Sequence, residues 1–302
     1  MQNSLVNLSN ELANLVQAFQ SQVVAVHGRA HYPSSGVHWR PGLVVTADHT
    51  VGRDEDIEVT LPGGKRGDAT LAGRDPGTDL AVLKVEGLGP VAAYAAGGDS
   101  ASVGELALVL GRSPDSGPNA SLGVISAISG PWRTWRGGRL DKYIRLDVTL
   151  FPNSSGGAVV DCRGGLLGIA TSGLSRIAGL AIPASSVNRV VDALVEKGYV
   201  PHGYLGIGVQ SVAIPEPLRS SLALSGKTGV MVVSVEPGGP ADQAGVLLGD
   251  ILLGIGDTQL EEIEELQSFS DSGVIGKPVK AKLIRAGALR QVEIIVGERP
   301  GK

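Results

Sequence analysis

Between Gln22 and about Ala184 the chain is written as short Val-, Ile- and Leu-rich segments separated by turn residues, a pattern that constrains this stretch to strands. The segments are Val23–Val26, Gly42–Thr46, Ile57–Leu61, Leu80–Val85, Leu106–Leu110, Gly123–Ile128, Tyr143–Val148, Ala158–Val160 and Leu166–Ala170, commonly 8–20 residues apart. Pro-Gly, Gly-Gly and Pro-Asp lie between them, which suits antiparallel barrels or sandwiches better than strand–helix–strand alternation. Glycine supports this reading, with 44 in 302 residues, about twice the usual share. The stretch is too long for one small barrel, so two packed barrels are expected.

The flanks read differently. Leu5, Leu8, Leu12, Leu15, Phe19 and Val23 recur at three- and four-residue intervals, forming one apolar helix face that packs on the protein's own core or serves self-association. Ser185–Lys197 is a second helix, with a stripe of Val187, Val190, Val191, Leu194 and Val195 and a stop at Gly198. Gly198-Tyr-Val-Pro-His-Gly203 then breaks the pattern and marks a domain boundary. From Tyr204 to Val296 a second unit is expected, with strands at Gly229–Val235, Ile251–Ile255, Val279–Ile284 and Gln291–Val296. Helices are expected there at Pro240–Ala244 and Leu260–Ser270, the latter with Leu260, Ile263, Leu266 and Phe269 as core.

Charge removes one class of function. Lys and Arg number 26 against 30 Asp and Glu, a net −4, so a basic footprint for nucleic acid is missing. No apolar run approaches the roughly 20 residues of a membrane-spanning helix. The first basic residue is Arg29, unlike the start of a secretion signal. The expectation is a cytoplasmic chain, or a periplasmic or otherwise extracytoplasmic one whose targeting segment has been removed. The single cysteine, Cys162, supports neither a disulfide framework nor a Cys-rich zinc site.

Chemistry is sought first among the five histidines. His27 lies in or beside a strand, His31 and His38 in a loop-like stretch and His202 in the linker. His27 and His31 have metal-like spacing only on a helix and lack a carboxylate, so no metal is expected. His49 differs, because it ends the run Gly42-Leu-Val-Val-Thr-Ala-Asp-His-Thr-Val51, where a strand delivers an imidazole to a barrel rim. Asp79 opens Asp79-Leu-Ala-Val-Leu-Lys-Val85, a costly place for a carboxylate unless its charge is compensated. Asp147 competes for the same role. Ser155 sits on the Gly-rich turn Leu150-Phe-Pro-Asn-Ser-Ser-Gly-Gly-Ala158, whose backbone N–H groups can form a concave anion site.

His49, Asp79 and Ser155 stand in the chain order His…Asp…Ser of chymotrypsin-type enzymes. With them the sequence resembles HtrA/Deg-type serine proteases carrying a C-terminal PDZ domain. The resemblance rests on Thr46-Ala-Asp-His-Thr-Val51, Gly77-Thr-Asp-Leu-Ala-Val-Leu-Lys84 and Pro152-Asn-Ser-Ser-Gly-Gly157. Supporting matches are Gly98-Asp-Ser100 with Val103-Gly-Glu105, Gly123-Val-Ile-Ser126, Gly168-Ile-Ala-Thr171 and Gly179-Leu-Ala-Ile-Pro183. In the second unit Gly203-Tyr-Leu-Gly-Ile207, Pro240-Ala-Asp-Gln-Ala-Gly245 and Gly249-Asp-Ile-Leu-Leu253 match the PDZ pattern. The resemblance covers residues from about 22 to 297.

It implies a mostly β fold: a chymotrypsin-like protease domain of two six-stranded β-barrels over 1–200, with an N-terminal helix over 1–21, and an α+β PDZ domain over 203–297. It also implies an ATP-independent endopeptidase for unfolded or damaged proteins, working as a homotrimer without a cofactor. Ser155 would be the nucleophile, His49 the base and Asp79 its partner. The N–H groups of Asn153 and Ser155, with Ser154, would hold the oxyanion. Tyr204, Leu205, Gly206 and Ile207 would form the loop that binds the carboxylate of peptide C-termini.

Two departures stand out. The family usually has Gly-Asn-Ser-Gly-Gly where this chain has Asn153-Ser154-Ser155-Gly156-Gly157, and asparagine enters the left-handed region less freely than glycine. That opens an alternative, a weak or inactive peptide-binding scaffold or holdase. Asp48, beside His49, either biases the imidazole or points away. An α/β-hydrolase esterase is disfavoured, since the Gly-x-Ser-x-Gly elbow is absent around Ser155. Thr149 in place of an acid, with Leu150 and Ala170–Gly173, implies a small apolar pocket and cleavage after Val, Ala or similar residues.

Overall fold

The computed structural model describes residues 4–30, 32–91, 95–96, 101–269 and 272–298. His31, Gly98-Asp-Ser100 and Ser270 lie outside them. Contacts divide the chain into two units, Met1–Val200 and Pro201–Lys302.

In the first unit β1 (Val23–His27), β2 (Ser34–Arg40), β3 (Leu43–Ala47), β4 (Ile57–Thr60), β5 (Arg66–Asp75) and β6 (Leu80–Val85) close a barrel in the order β1-β2-β3-β6-β5-β4. Every pairing is antiparallel, and β4 returns to β1 with Val26 opposite Val59. Six further strands build the second barrel: β7 (Leu106–Ser113), β8 (Gly117–Ser129), β9 (Tyr143–Asp147), β10 (Ala158–Asp161), β11 (Gly165–Thr171) and β12 (Gly179–Pro183). Their order is β10-β7-β8-β9-β12-β11, and β10 pairs back to β11 to close the second barrel. Closure leaves these twelve strands without the open edges that invite pairing with other chains.

The apolar segments became strands because both barrels bury them: Val44, Val45, Leu80, Val82, Val159 and Ile169 are all inaccessible. Strands β2 and β5 escape that pattern. Ser34-Ser-Gly-Val-His-Trp-Arg40 is polar yet almost wholly buried, so His38 belongs to a strand interior rather than to a loop. The strand persists because its neighbours β1 and β3 supply backbone partners, while Thr50 Oγ1 donates to Ser34 Oγ at 2.9 Å.

Helix α1 (Ser4–Phe19) divides its apolar face. Leu12, Leu15, Val16 and Phe19 pack on the core, whereas Leu5, Val6 and Leu8 stay exposed, Leu5 at 74%. Val23 belongs to β1, not to the helix. Helix α2 (Ala184–Lys197) buries Val187, Val190, Val191 and Leu194 but leaves Val195 exposed, and ends where Gly198 N–H donates to Leu194 O.

The second unit is α+β. Strands β13 (Ile207–Ala213), β14 (Thr228–Val235), β15 (Ile251–Ile255), β16 (Pro278–Arg285) and β17 (Ala288–Ile295) are hydrogen-bonded in that order. Val230, Val232, Leu252, Leu283 and Ile294 form the core with Leu260 and Leu266, the latter from helix α3 (Ile263–Phe269). Among the described residues no helix is long and apolar enough to cross a membrane.

Candidate active site

His49 does not ride on a strand. Strand β3 ends at Ala47, and a single 3-10 turn, Asp48–Thr50, carries the imidazole past the rim. Arg74 of β5 clamps this turn: its Nε donates to Asp48 Oδ1 at 2.6 Å, Nη1 to Asp54 Oδ1 at 2.8 Å, and Nη2 to the carbonyls of Asp48 and Val51. Asp48 is therefore turned to Arg74. Burial pushes its carboxyl above the ordinary carboxylate range, and the Arg74 guanidinium only partly offsets that.

Asp79 precedes β6 at φ +60°, a left-handed conformation that Asp tolerates better than most residues. Its side chain is fully buried, so each oxygen needs partners. Oδ1 accepts the backbone N–H of His49 at 2.9 Å, and Oδ2 accepts His49 Nδ1–H at 2.8 Å. Thr171 Oγ1, at the end of β11, also donates to Oδ2. The pair is packed from the side by Gly173: an added Cβ there would lie 2.6 Å from His49 Nδ1 and 2.7 Å from Asp79 Oδ2. Asp147, the competing acid, is exposed on β9, and the imidazole bonds Asp79.

Ser155 comes from the second barrel, 3% exposed, on the turn between β9 and β10. Barrel one stitches this turn in place. Ser35 N–H donates to Ser155 O at 3.1 Å, Ser35 Oγ to Asn153 O at 2.6 Å and Arg29 Nη2 to Pro152 O at 2.9 Å. Gly156 sits at φ +86° where an added Cβ would lie 2.1 Å from Ser35 O, so glycine is required on both counts.

The hydroxyl of Ser155 points to Ser172, Oγ to Oγ 3.1 Å, and accepts Ser172 N–H at 3.3 Å. Ser172 Oγ in turn lies 3.5 Å from His49 Nε2. The structure thus brings His49, Asp79 and Ser155 to one rim, with Ser172 between the last and the first. Sequence reasoning places Thr171 in a family-like stretch and Ser172 in the Ala170–Gly173 pocket segment, but it assigns neither a contact with Asp79 or Ser155.

Of the three expected oxyanion donors, Ser154 is removed: its N–H donates to Phe151 O at 2.8 Å, closing a turn. The N–H groups of Asn153 and Ser155 have no acceptor among the described residues. Asn153 is at position i+2 of that turn with negative φ, which excludes a type II turn. Leu150, five residues before the serine, packs against Gly179, its Cδ1 2.7 Å from where an added Cβ would lie.

In the second unit Tyr204 forms a two-residue ladder with Gly297, Leu205 is buried in the core and Ile207 opens β13. The carbonyls of Leu205 and Gly206 accept Ala241 N–H and Glu236 N–H at 2.9 and 2.8 Å. The N–H groups of Leu205 and Gly206 have no acceptor among the described residues. Among the described residues strand β13 pairs on one side only, with β14, which leaves its other edge without a strand partner there.

Comparison with known proteins agrees with this geometry. A trypsin-like peptidase domain model matches residues 34–169 and a PDZ domain model residues 203–296. A solved structure of the HtrA-type protease AlgW with a tripeptide superposes with a TM-score of 0.73, at 30% identity over 96% of this chain and 98% of that one. The chain belongs to the HtrA/Deg family of serine proteases. Another HtrA-type structure, AlgW with a decapeptide, gives a TM-score of 0.75 at 27% identity over 96% of this chain and 99% of that one. Among curated HtrA/Deg relatives, a probable periplasmic serine endoprotease DegP-like of Brucella suis biovar 1 (strain 1330) is 30% identical over 292 residues, 90% of this chain. The periplasmic pH-dependent serine endoprotease DegQ of Escherichia coli (strain K12) is 29% identical over 259 residues, 84% of this chain. The chain spans 56% of the length of each of these two relatives.

Proposed function

We propose that this chain is an ATP-independent serine endopeptidase acting on unfolded or damaged proteins, with the protease in residues 1–200 and a PDZ domain in 203–297. The observation that carries the reading is the convergence of His49, buried Asp79 and Ser155 on one rim. Ser155 Oγ attacks the peptide carbonyl while His49 Nε2 takes its proton and later returns it to the leaving amine. Asp79 fixes the tautomer and stabilises the imidazolium. The N–H groups of Ser155 and Asn153 receive the developing oxyanion, each such donor being worth about 10²–10³ in rate. Leu150 and the bare stretch at Gly173 favour a small apolar side chain before the scissile bond.

The PDZ domain takes a peptide C-terminus as an added strand on β13, its carboxylate held by the N–H groups of Leu205 and Gly206. The working form is a homotrimer, to which the exposed Leu5, Val6 and Leu8 of α1 contribute an apolar face. Casein degradation tests the core of the reading: the wild-type chain degrades it, and the Ser155→Ala variant does not. Equal degradation by both would overturn it.

A further inference from the structure

Among the described residues the proposed nucleophile makes no hydrogen bond to its proposed base. Ser155 Oγ makes its two hydrogen bonds to one residue, Ser172, through the hydroxyl at 3.1 Å and the backbone N–H at 3.3 Å. Ser172 Oγ also covers His49 Nε2 at 3.5 Å. Donor directions follow from Asp79. A carboxylate accepts only, so Nδ1 of the neutral ring carries the proton and Nε2 is the acceptor. Ser172 O–H then points to Nε2, and Ser155 O–H must point to Ser172.

Resting on the triad reading above, we infer that the Ser172 hydroxyl is a further residue of the catalytic centre, a holding group that occupies both the Ser155 proton and the His49 lone pair between turnovers. Alternation along the chain makes this possible. Thr171 turns inward to Asp79, Ser172 outward to Ser155 and His49, and Gly173 lies bare against the ring. Release requires the Ser155 Oγ–H to leave Ser172 and turn to Nε2. In the step that follows, the Ser155 proton passes to Nε2, a bond forms from Oγ to the carbonyl carbon, and the carbonyl electron pair moves to oxygen. Ser172 neither gains nor loses a proton. Its effect is on how often the nucleophile is engaged.

Removing the hydroxyl is therefore expected to speed acylation. The full chain is labelled with a fluorophosphonate, and the second-order rate is compared for wild type, Ser172→Ala, Ser172→Gly and Ser155→Ala. Both Ser172 variants keep the backbone N–H and change an exposed side chain. Each should label roughly 3- to 10-fold faster, the effect of releasing one net hydrogen bond. Damage to the fold slows labelling, so a gain cannot arise from it. Unchanged or slower labelling in both variants, with Ser155→Ala silent, overturns this inference alone. Labelling that persists in Ser155→Ala, or is absent from the wild type, overturns the triad reading instead.

Discussion

Asp79 holds His49 at two points, accepting the backbone N–H at 2.9 Å and the ring Nδ1–H at 2.8 Å. The acid therefore fixes where the turn sits as well as how the imidazole is oriented. The ring contact does not tolerate a displaced imidazole, and Gly173 packs directly against the pair.

Gly173→Ala should be a strong activity variant with an ordinary fold. Its φ lies outside the left-handed region, so alanine's only penalty is the collision of Cβ with His49 Nδ1 and Asp79 Oδ2. A displacement of several tenths of an ångström at the base is expected to lower kcat roughly 10- to 100-fold. Steady-state cleavage beside a thermal melt checks it; wild-type kcat would show that the pair does not depend on this packing.

Asn153→Gly should increase turnover. A concave N–H cup needs residues of alternating handedness, yet Asn153 and Ser154 both have negative φ. Reaching the left-handed region costs asparagine about 1 kcal/mol more than glycine, so labelling by a fluorophosphonate should rise roughly fivefold. A slower glycine variant would mean that the present turn already serves the oxyanion.

Peptide binding to the second unit should depend on a free C-terminal carboxylate. The carbonyls of Leu205 and Gly206 are both engaged, which leaves their N–H groups for a ligand. Fluorescence anisotropy with one apolar-ended peptide, in free-acid and amidated forms, should show binding only for the acid. Equal affinities would remove this loop from the carboxylate site.

The second unit should lose stability in acid. Burial alone would raise the carboxyl of Asp250, but the hydrogen bonds from Arg285 and from Leu247 N–H, with the Arg285 charge, outweigh it and hold it below its ordinary value of 3.8. The unfolded chain then binds the proton more readily, so this stabilisation is complete above the ordinary value and is lost as pH falls through the lowered one. In urea melts the difference between wild type and Asp250→Asn should shrink from pH 6 to pH 3. A difference independent of pH would exclude Asp250 as the titrating group.

Strands buried on both faces were legible in the sequence: β6 was expected at Leu80–Val85 and is found there. Strand β2 was not, because Ser34, Ser35 and His38 are polar and their partners lie far along the chain, as in Ser35 Oγ to Asn153 O. The same limit applies at the site. His49 and Asp79 stand out as polar residues at the ends of apolar runs, and Ser155 as a serine on a Gly-rich turn. Arg74, Thr171 and Ser172 acquire their roles only when β5 and β11 are brought beside the His49 turn, and no local pattern announces that. Val195 shows the converse, since it fits the helical stripe yet faces solvent.

The most direct measurement is to locate the fluorophosphonate adduct by mass spectrometry on the intact, folded chain. One adduct is predicted, on Ser155, with labelling abolished in His49→Ala. An adduct on another serine, or undiminished labelling without the imidazole, would contradict the assignment of His49, Asp79 and Ser155 as the catalytic group.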